Sequence, residues 1–152
     1  MNKTIVPKLY KGEIFIDDRG IIGFNNELDL SDIKRFYTIS NHVPGFIRAW
    51  HGHINEAKYF IMLSGSSIIV AIKMIQKNNI WEMCYEQKHV QALSAKLPSV
   101  FYIPPKYANG FKLLTSDATL MVFSTNTIEE SKQDDIRFPY STDYNPFVVI
   151  QR

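Results

Sequence analysis

Residues 45–65 have the sequence GFIRAWHGHINEAKYFIMLSG, in which His51 and His53 follow a short apolar run and stand one residue apart. Five residues separate Gly45 from His51, four separate His53 from Lys58, and six separate Lys58 from Gly65. Short apolar and alternating runs of this kind are typical of β-strands, and a Gly flanked by Ser predicts a turn. The stretch therefore predicts two strands, with a pair of imidazoles and an amine between them.

The same pattern continues on both sides of this stretch. Ten Phe and eight Tyr raise the aromatic content to 13%, and aromatic residues suit pleated sheets. Turn signals at Asp17–Gly20, Ser64–Ser66, Lys77–Asn79 and Pro104–Pro105 separate the runs, so we predict one all-β domain over residues 1–152. The predicted strands are Glu13–Ile16, Ile33–Ser40, Phe46–Trp50, Tyr59–Leu63, Ser67–Met74, Ile80–Tyr85, Val100–Ile103 and Thr119–Ser124. We expect the tail from Ile128 to Arg152 to wrap the outside, with one helical turn near Glu129–Lys132.

Composition excludes several classes of protein. The net charge is +2, from 17 basic and 15 acidic residues, so the chain lacks the excess of positive charge that is typical of proteins that bind nucleic acid or an anionic membrane. No apolar run approaches the roughly 18 residues that span a bilayer, and the N-terminus lacks an apolar signal core. Cys84 is the only cysteine, which favours a reducing compartment. We therefore expect a cytoplasmic protein that binds neither nucleic acid nor membrane.

The spacing around His51 and His53 resembles the first motif of the cupin family, which has Glu where Lys58 stands. The second cupin motif, Pro-x-Gly-x-x-His, resembles Pro104–Asn109, with Asn109 in place of its His. This resemblance implies a double-stranded β-helix, the cupin jelly roll. Cupin metals take three His and one carboxylate, and here an amide and an ammonium replace two of those ligands. We therefore expect no metal and no cofactor.

Three further landmarks resemble the dTDP-4-dehydrorhamnose 3,5-epimerase family. They are Asp17–Gly20, Phe46–His51 and Ile103–Phe111, and Asp134–Pro139 resembles a shorter branch of sugar epimerase-like proteins. The run Ile33–Tyr37, with Arg35, and the His51–His53 pair also resemble the dTDP-sugar 3,4-ketoisomerases. The tyrosine acid of the 3,5-epimerases falls near Val122 by rough alignment, where this chain has no proton donor.

The resemblance implies a set of site residues. His51 is the predicted base, since an imidazole exchanges protons near neutral pH, and Asp134 or Asp135 is expected to orient it. Lys58 or His53 is expected to hold an enolate oxygen, while Tyr37, Tyr102 or Tyr107 returns a proton. Guanidinium groups suit diphosphates. The substrate-binding candidates are Arg19, Arg48, Asn109, Tyr107, Phe24 and Asp135.

Strand alternation raises an objection to Arg48, because it places Ile47, Ala49, His51 and His53 on one face and Arg48 on the other. A bulge, or a site shared between subunits, would be needed to bring Arg48 to the histidines.

The resemblance implies an epimerase or isomerase of a nucleotide-linked 4-keto-6-deoxy sugar, with a dTDP sugar as the expected partner. It also implies a homodimer and a role in cell-surface polysaccharide synthesis, such as that of lipopolysaccharide O-antigen. A 3,4-ketoisomerase and a non-catalytic sugar- or nucleotide-binding cupin remain open alternatives, and a metal-dependent oxygenase is a third.

Overall fold

The computed structural model describes residues 5–152 and contains two five-stranded antiparallel sheets. The front sheet has the strand order β1-β9-β6-β11-β4 and the back sheet β12-β5-β10-β7-β8, while β2 and β3 form a separate ribbon. Residues 1–4, within the segment for which we predict no export signal, lie outside the described residues. The strands are β1 Lys8–Tyr10, β2 Glu13–Asp17, β3 Gly20–Phe24, β4 Arg35–Ile39, β5 Ile47–His53, β6 Lys58–Ser64, β7 Ser66–Lys77, β8 Ile80–Ser94, β9 Val100–Ile103, β10 Tyr107–Leu113, β11 Thr119–Ser124 and β12 Ile136–Arg137.

The main core lies between the two sheets and confirms the predicted jelly roll. Phe60 and Leu120 of the front sheet meet Ile69 and Phe111 of the back sheet there, and all four are nearly or fully buried. Alternate residues along each strand face this core, as the period of two requires. Two smaller apolar clusters cover the outer faces, one around Tyr59 and Tyr102 on the front sheet and one around Trp50 and Phe147 on the back sheet.

The turns follow the predicted chemistry. Asn78 and Asn79 join β7 to β8 with φ values of 50° and 63°, a left-handed conformation that Asn tolerates. Gly65 joins β6 to β7 at φ 69°. Each predicted strand is present, whereas β1, β3, β10 and β12 were not predicted, and β10 contains an Asn-Gly pair of the kind common in turns. That pair instead lies in the middle of the back sheet, buried between β5 and β7.

A bulge in β5 answers the objection to Arg48. His51 pairs with Asn109 and Arg48 pairs with Phe111, so two residues of β5 lie opposite Gly110 alone. Because Asn109 and Phe111 share one face of β10, Arg48 and His51 share a face as well. The alternation that put Arg48 on the other face was therefore wrong. A side chain at position 110 would meet Ala49 Cβ at 2.7 Å, so the bulge needs this glycine.

The C-terminal segment wraps the back sheet, as expected. Helix α1, Ile128–Gln133, begins with a capping box in which Thr127 and Glu130 satisfy each other's backbone N–H groups. The chain then pairs with β5 through β12 and lays Phe147 against Trp50, with ring centroids 5.3 Å apart. Within residues 5–152, no helix is long and apolar enough to cross a membrane.

Candidate active site

A cleft of about 680 Å³ opens between the sheets at the end where α1 joins them. Its volume lies in the range of small-molecule sites. Four strands, the helix and the segment that follows it supply its walls. The lining residues are Arg35, Tyr37, Ile39, Phe46, Ile47, Arg48, Ala49, Trp50, His51, Lys58, Phe60, Asn109, Phe111, Ile128, Ser131, Lys132, Asp135, Arg137 and Phe138.

His51 and Asp135 form a direct side-chain pair in this cleft, through Nε2 of the ring and Oδ1 of the carboxylate. A neutral ring donates its Nε2–H to the carboxylate, which leaves the lone pair of Nδ1 free to accept a proton. Burial of the ring and the positive charge of Lys58 lower the pKa of His51 to about 4, against the opposing effect of Asp135. His51 is thus neutral near pH 7, as a base must be.

Asp134 makes different contacts from its neighbour, and of the two aspartates Asp135 is the one that contacts the ring of His51. Its carboxylate accepts hydrogen bonds from the backbone N–H groups of Ile54, Asn55 and Glu56 at 2.8, 2.7 and 3.2 Å. Its carbonyl oxygen lies 2.7 Å from Nδ1 of His53. These contacts fasten the segment after α1 to the turn after β5, and so place Asp135 against His51.

Lys58 is a buried amine that lines the cleft, with 5% of the residue exposed. Within residues 5–152 its side chain forms no hydrogen bond or ion pair. Burial lowers the pKa of Lys58, while the negative charge of Glu56 opposes that effect. An amine in this state is placed to bind an oxygen of a ligand.

The three candidate tyrosines occupy different places. Tyr37 lines the cleft, with the guanidinium of Arg35 5.0 Å from its ring centroid. Burial and the charge of Glu56 raise the pKa of Tyr37 to about 12, so its hydroxyl keeps its proton at neutral pH. Tyr102 lies on the outer face of the front sheet against Tyr59, and Tyr107 lies within the main core. The structure therefore brings Tyr37 to His51 and does not bring Tyr102 or Tyr107 to the cleft.

The cleft is strongly cationic. Five of its lining side chains are basic, against the single carboxylate of Asp135: Arg35, Arg48, Lys58, Lys132 and Arg137. The Nε of Arg48 donates to Asn41 at 2.8 Å, and the buried amide of Asn109 donates to the carbonyl of His51 at 2.8 Å. Sequence reasoning gave no role to Arg35, Lys132 or Arg137. Arg35 was signalled by its place in the run that resembles the ketoisomerases.

Besides Tyr107, two more predicted substrate-binding residues lie outside the cleft of their own chain. Arg19 is at the tip of the β2–β3 ribbon, where its guanidinium binds Asp17 and its side chain is 78% exposed. Phe24 is at the end of β3, paired with Glu13. Neither contacts the cleft within this chain, because the ribbon forms a sheet of its own.

Among residues 5–152, His51, His53 and Asp135 offer donor atoms within 4.8 Å of one another. This set does not fit a cation. The two nitrogens of His53 face the carbonyl of Asp134 and the carboxylate of Glu56, and His51 is paired with Asp135. The positive charge of Lys58 acts on the same ring of His51, and two like charges repel strongly in a partly buried site. We derive no step that uses a metal.

Among known proteins, this chain has matches in three-dimensional structure but none in sequence. No model of a known protein family matches the sequence, and no curated protein sequence does either. The structure is similar to dTDP-4-dehydrorhamnose 3,5-epimerase from Bacillus anthracis with TDP and PPi bound. The TM-score is 0.73 at 19% identity, over 95% of this chain and 86% of that chain. The chain has the fold of this epimerase.

Two other enzymes share the fold, and their reactions differ from that of the 3,5-epimerase. The sugar 3,4-ketoisomerase QdtA from Thermoanaerobacterium thermosaccharolyticum in complex with TDP has a TM-score of 0.66 at 20% identity, over 87% of this chain and 88% of that one. ChmJ, a 3'-monoepimerase from Streptomyces bikiniensis in complex with dTDP, has a TM-score of 0.67 at 17% identity, over 96% of this chain and 81% of that one. The fold of these enzymes is thus compatible with more than one outcome of isomerisation.

Proposed function

We propose that this protein is an isomerase of nucleotide-linked 4-keto-6-deoxy sugars that removes a proton from a carbon beside the ketone. The observation that carries the proposal is the meeting of three groups in one cleft: the His51–Asp135 pair, the buried amine of Lys58, which has no hydrogen-bond or ion-pair partner among residues 5–152, and the protonated hydroxyl of Tyr37. A base, an oxyanion partner and an acid are the groups that such a reaction requires.

In the first step, Nδ1 of His51 takes the proton from carbon. The electron pair of the C–H bond forms a C=C bond to the carbonyl carbon, and the π pair of the carbonyl moves to its oxygen. The resulting enolate oxygen binds the ammonium of Lys58. Asp135 stabilises the imidazolium that forms and holds the ring in place. The low pKa of His51 weakens it as a base, so the stabilisation of the enolate by Lys58 must supply much of the driving force.

In the second step, Tyr37 supplies the proton that completes the reaction. Return to the opposite face of the same carbon inverts that centre and makes the protein an epimerase. The tyrosinate is then reprotonated from solvent, and His51 releases its proton.

A 3,4-ketoisomerase is the second candidate, and one observation favours it. Arg35 and Tyr37, which belong to the run that resembles the ketoisomerases, both line the cleft beside Lys58. In that reaction a proton leaves C3 and a proton reaches C4. The hydroxyl at C3 loses its proton and becomes the new ketone, while the former ketone oxygen at C4 gains a proton and becomes a hydroxyl. The same base would serve both reactions, since each begins at the carbon next to the ketone.

The diphosphate of the substrate would bind the basic side of the cleft. Arg48 reaches this side through the β5 bulge, and a guanidinium offers two parallel donors to phosphate oxygens. The similar structures contain TDP or dTDP, which supports a dTDP sugar as the ligand. A cytoplasmic role in supplying sugar donors for surface polysaccharide, such as lipopolysaccharide O-antigen, is consistent with such a substrate.

We propose that the protein acts as a homodimer. The β2–β3 ribbon carries exposed apolar side chains on both faces, including Ile16 and Ile21, which are 68% and 69% exposed. A two-stranded ribbon is marginally stable without cover. A second copy would bury these side chains, and an exchange of ribbons would carry Arg19 and Phe24 toward the cleft of the other copy.

The test uses the His51→Asn variant with His89→Asn as its control, because His89 is half-buried on β8 beside Tyr107 and lies outside the cleft. Binding of dTDP-4-keto-6-deoxyglucose is measured by calorimetry, and conversion is measured by proton NMR. We expect His51→Asn to keep binding and lose conversion, with His89→Asn unchanged in both. Binding by the wild type without any conversion would favour the non-catalytic sugar- or nucleotide-binding cupin instead.

A further inference from the structure

Glu56 is the most deeply buried carboxylate beside the cleft, and its side chain has no exposed surface. It accepts hydrogen bonds from the hydroxyls of Ser124 and of Ser131, the latter at 2.9 Å. Nη2 of Arg35 lies 3.4 Å from Oε1, and Nε2 of His53 lies 3.0 Å from Oε2 at an angle that departs from hydrogen-bond geometry. A buried carboxylate with this many donors is ionised.

The partners of Glu56 come from four different elements. Arg35 belongs to β4, His53 to β5, Ser124 to β11 and Ser131 to α1. Arg35 and Ser131 themselves line the cleft. The carboxylate therefore ties both sheets and the helix together directly beneath the site.

Lys58 lies next to this network: it stands two residues beyond Glu56, and on β6 it pairs with Ser124 of β11, whose hydroxyl donates to Glu56. Although burial alone would raise it, the pKa of Glu56 is held at about 2 by His53, by Lys58 and by Ser124. The other charged or titratable groups near Lys58 are Arg35 and Tyr37 on β4, His51 and His53 on β5, and Asp135 after α1. Asp135 is already paired with His51 and Arg137. Glu56 is thus the largest source of negative charge acting on the amine.

We propose that Glu56 is a positioning residue whose buried negative charge stabilises the ammonium form of Lys58 and holds Arg35 and His53 at the floor of the cleft. The role of the charged amine as an enolate partner rests on the proposed function. The electrostatic coupling between Glu56 and Lys58 does not rest on it.

Glutamine separates the charge of Glu56 from its shape. In Glu56→Gln the remaining oxygen can still accept hydrogen bonds from Ser124 and Arg35, while the new NH2 group faces Ser131, whose hydroxyl can turn to accept from it. The side chain then carries no charge. Glu129→Gln on α1 is the matched control. Glu129 is exposed and lies outside the network, so this substitution removes the same charge without touching the contacts of Glu56.

The experiment measures the titration of Lys58 in the absence of substrate, by NMR of protein labelled with 13C at the lysine Cε. Lys58→Met identifies the resonance. We expect Glu56→Gln to lower the pKa of Lys58 by about one unit or more, the size typical of a lost opposite charge nearby. We expect Glu129→Gln to leave it at the wild-type value. An unchanged Lys58 titration in folded Glu56→Gln would overturn the proposal.

A reciprocal measurement covers the case in which Glu56→Gln does not fold. In Lys58→Met, the carboxyl resonance of Glu56 should titrate at a higher pH than in the wild type, since the coupling is the same from either side. An unshifted Glu56 there would overturn the proposal as well. Normal coupling in a protein that converts no keto sugar would instead count against the proposed function alone.

Turnover gives a further readout that a purely structural role would not move. If Lys58 must be charged, the alkaline limb of the pH profile of kcat should move to lower pH in Glu56→Gln by the same interval as the Lys58 titration. A uniform loss of kcat with an unchanged profile would contradict the assigned role of the charge.

Discussion

Tyr37 on β4 lies directly opposite Val122 on the neighbouring strand β11. Val122 is fully buried in the core, whereas Tyr37 reaches the cleft. The position at which the 3,5-epimerases are expected to carry their tyrosine acid is thus apolar here, and a hydroxyl lies one strand away. A proton delivered from β4 would approach the sugar from a different direction, which is a physical reason to expect a changed outcome at the ketone.

The first prediction concerns this hydroxyl. Tyr37→Phe should lower kcat for the complete reaction by about 10²-fold or more, the usual size of a general-acid effect. Proton removal by His51 should continue, so deuterium from solvent should still enter the recovered substrate. The control is Tyr102→Phe, which removes a hydroxyl on the outer face of the front sheet and should leave kcat unchanged. Equal losses in the two variants would contradict the assignment of Tyr37.

The second prediction separates the two aspartates. Asp135→Asn removes the carboxylate that orients His51, so it should lower kcat by about 10²-fold or more while leaving the thermal midpoint nearly unchanged. Asp134→Asn removes the charge that accepts three backbone N–H groups, so it should lower the thermal midpoint clearly. Calorimetry and initial rates on both variants check the division. A stable Asp134→Asn protein with wild-type unfolding would show that the turn after β5 does not depend on this carboxylate.

The third prediction concerns Arg48. Arg48→Met should raise KM and the Kd for the nucleotide while changing kcat little, because it removes a phosphate contact rather than a reacting group. The loss should shrink as salt is added, since the interaction is between charges. Lys77→Met, at the remote β7–β8 turn, removes one positive charge as a control and should leave KM unchanged. A fall in kcat at constant KM for Arg48→Met would place Arg48 at the reacting carbon instead.

The fourth prediction concerns acid. The pKa of Glu56 falls from an ordinary 4.5 to about 2 on folding, and that of His51 falls from 6.5 to about 4. As pH falls, these two groups therefore take up protons at a higher pH in the unfolded chain than in the folded protein. The free energy of unfolding decreases over that pH range. The contribution of His51 is lost between about 6.5 and 4, and that of Glu56 between about 4.5 and 2. Urea unfolding at several pH values should show a shallower loss below pH 4.5 in Glu56→Gln, and an identical slope in both proteins would contradict the role of Glu56.

The fifth prediction concerns assembly. A double variant, Ile16→Glu with Ile21→Glu, should convert a dimer to a monomer in sedimentation experiments, because charges replace the apolar surface of the β2–β3 ribbon. Ile80→Glu, at the exposed turn of the β7–β8 hairpin, is the control and should remain dimeric. A wild-type protein that sediments as a monomer would end the proposal of a shared site.

The alternating runs and the Asn and Gly turns were sufficient to predict an all-β domain, because they carry that information locally, and the resemblance to the two cupin motifs implied the jelly roll. The sequence also predicted His51, Lys58 and Tyr37, which lie in or near recognisable motifs. It did not predict Arg35, Lys132 or Arg137 as parts of the cleft, since these residues meet only when β4 and α1 close over β5. The objection to Arg48 failed for a physical reason too: strict alternation does not hold at a bulge, and this bulge depends on Gly110, which lies on β10, with β6 to β9 between it and β5 in the chain. Tyr102 and Tyr107 could not be separated from Tyr37 by residue type alone.

The central claim is that His51 removes a proton from carbon beside a ketone, and deuterium exchange tests it most directly. dTDP-4-keto-6-deoxyglucose is incubated with the protein in D2O, and the label is located by NMR. We predict deuterium at a carbon flanking the ketone with the wild type, and none above background with His51→Asn. Label at C3 alone without movement of the ketone would identify a 3-epimerase, and label with a relocated ketone would identify a ketoisomerase. No exchange in dTDP-, UDP- and GDP-linked 4-keto sugars that the folded protein demonstrably binds would contradict the account.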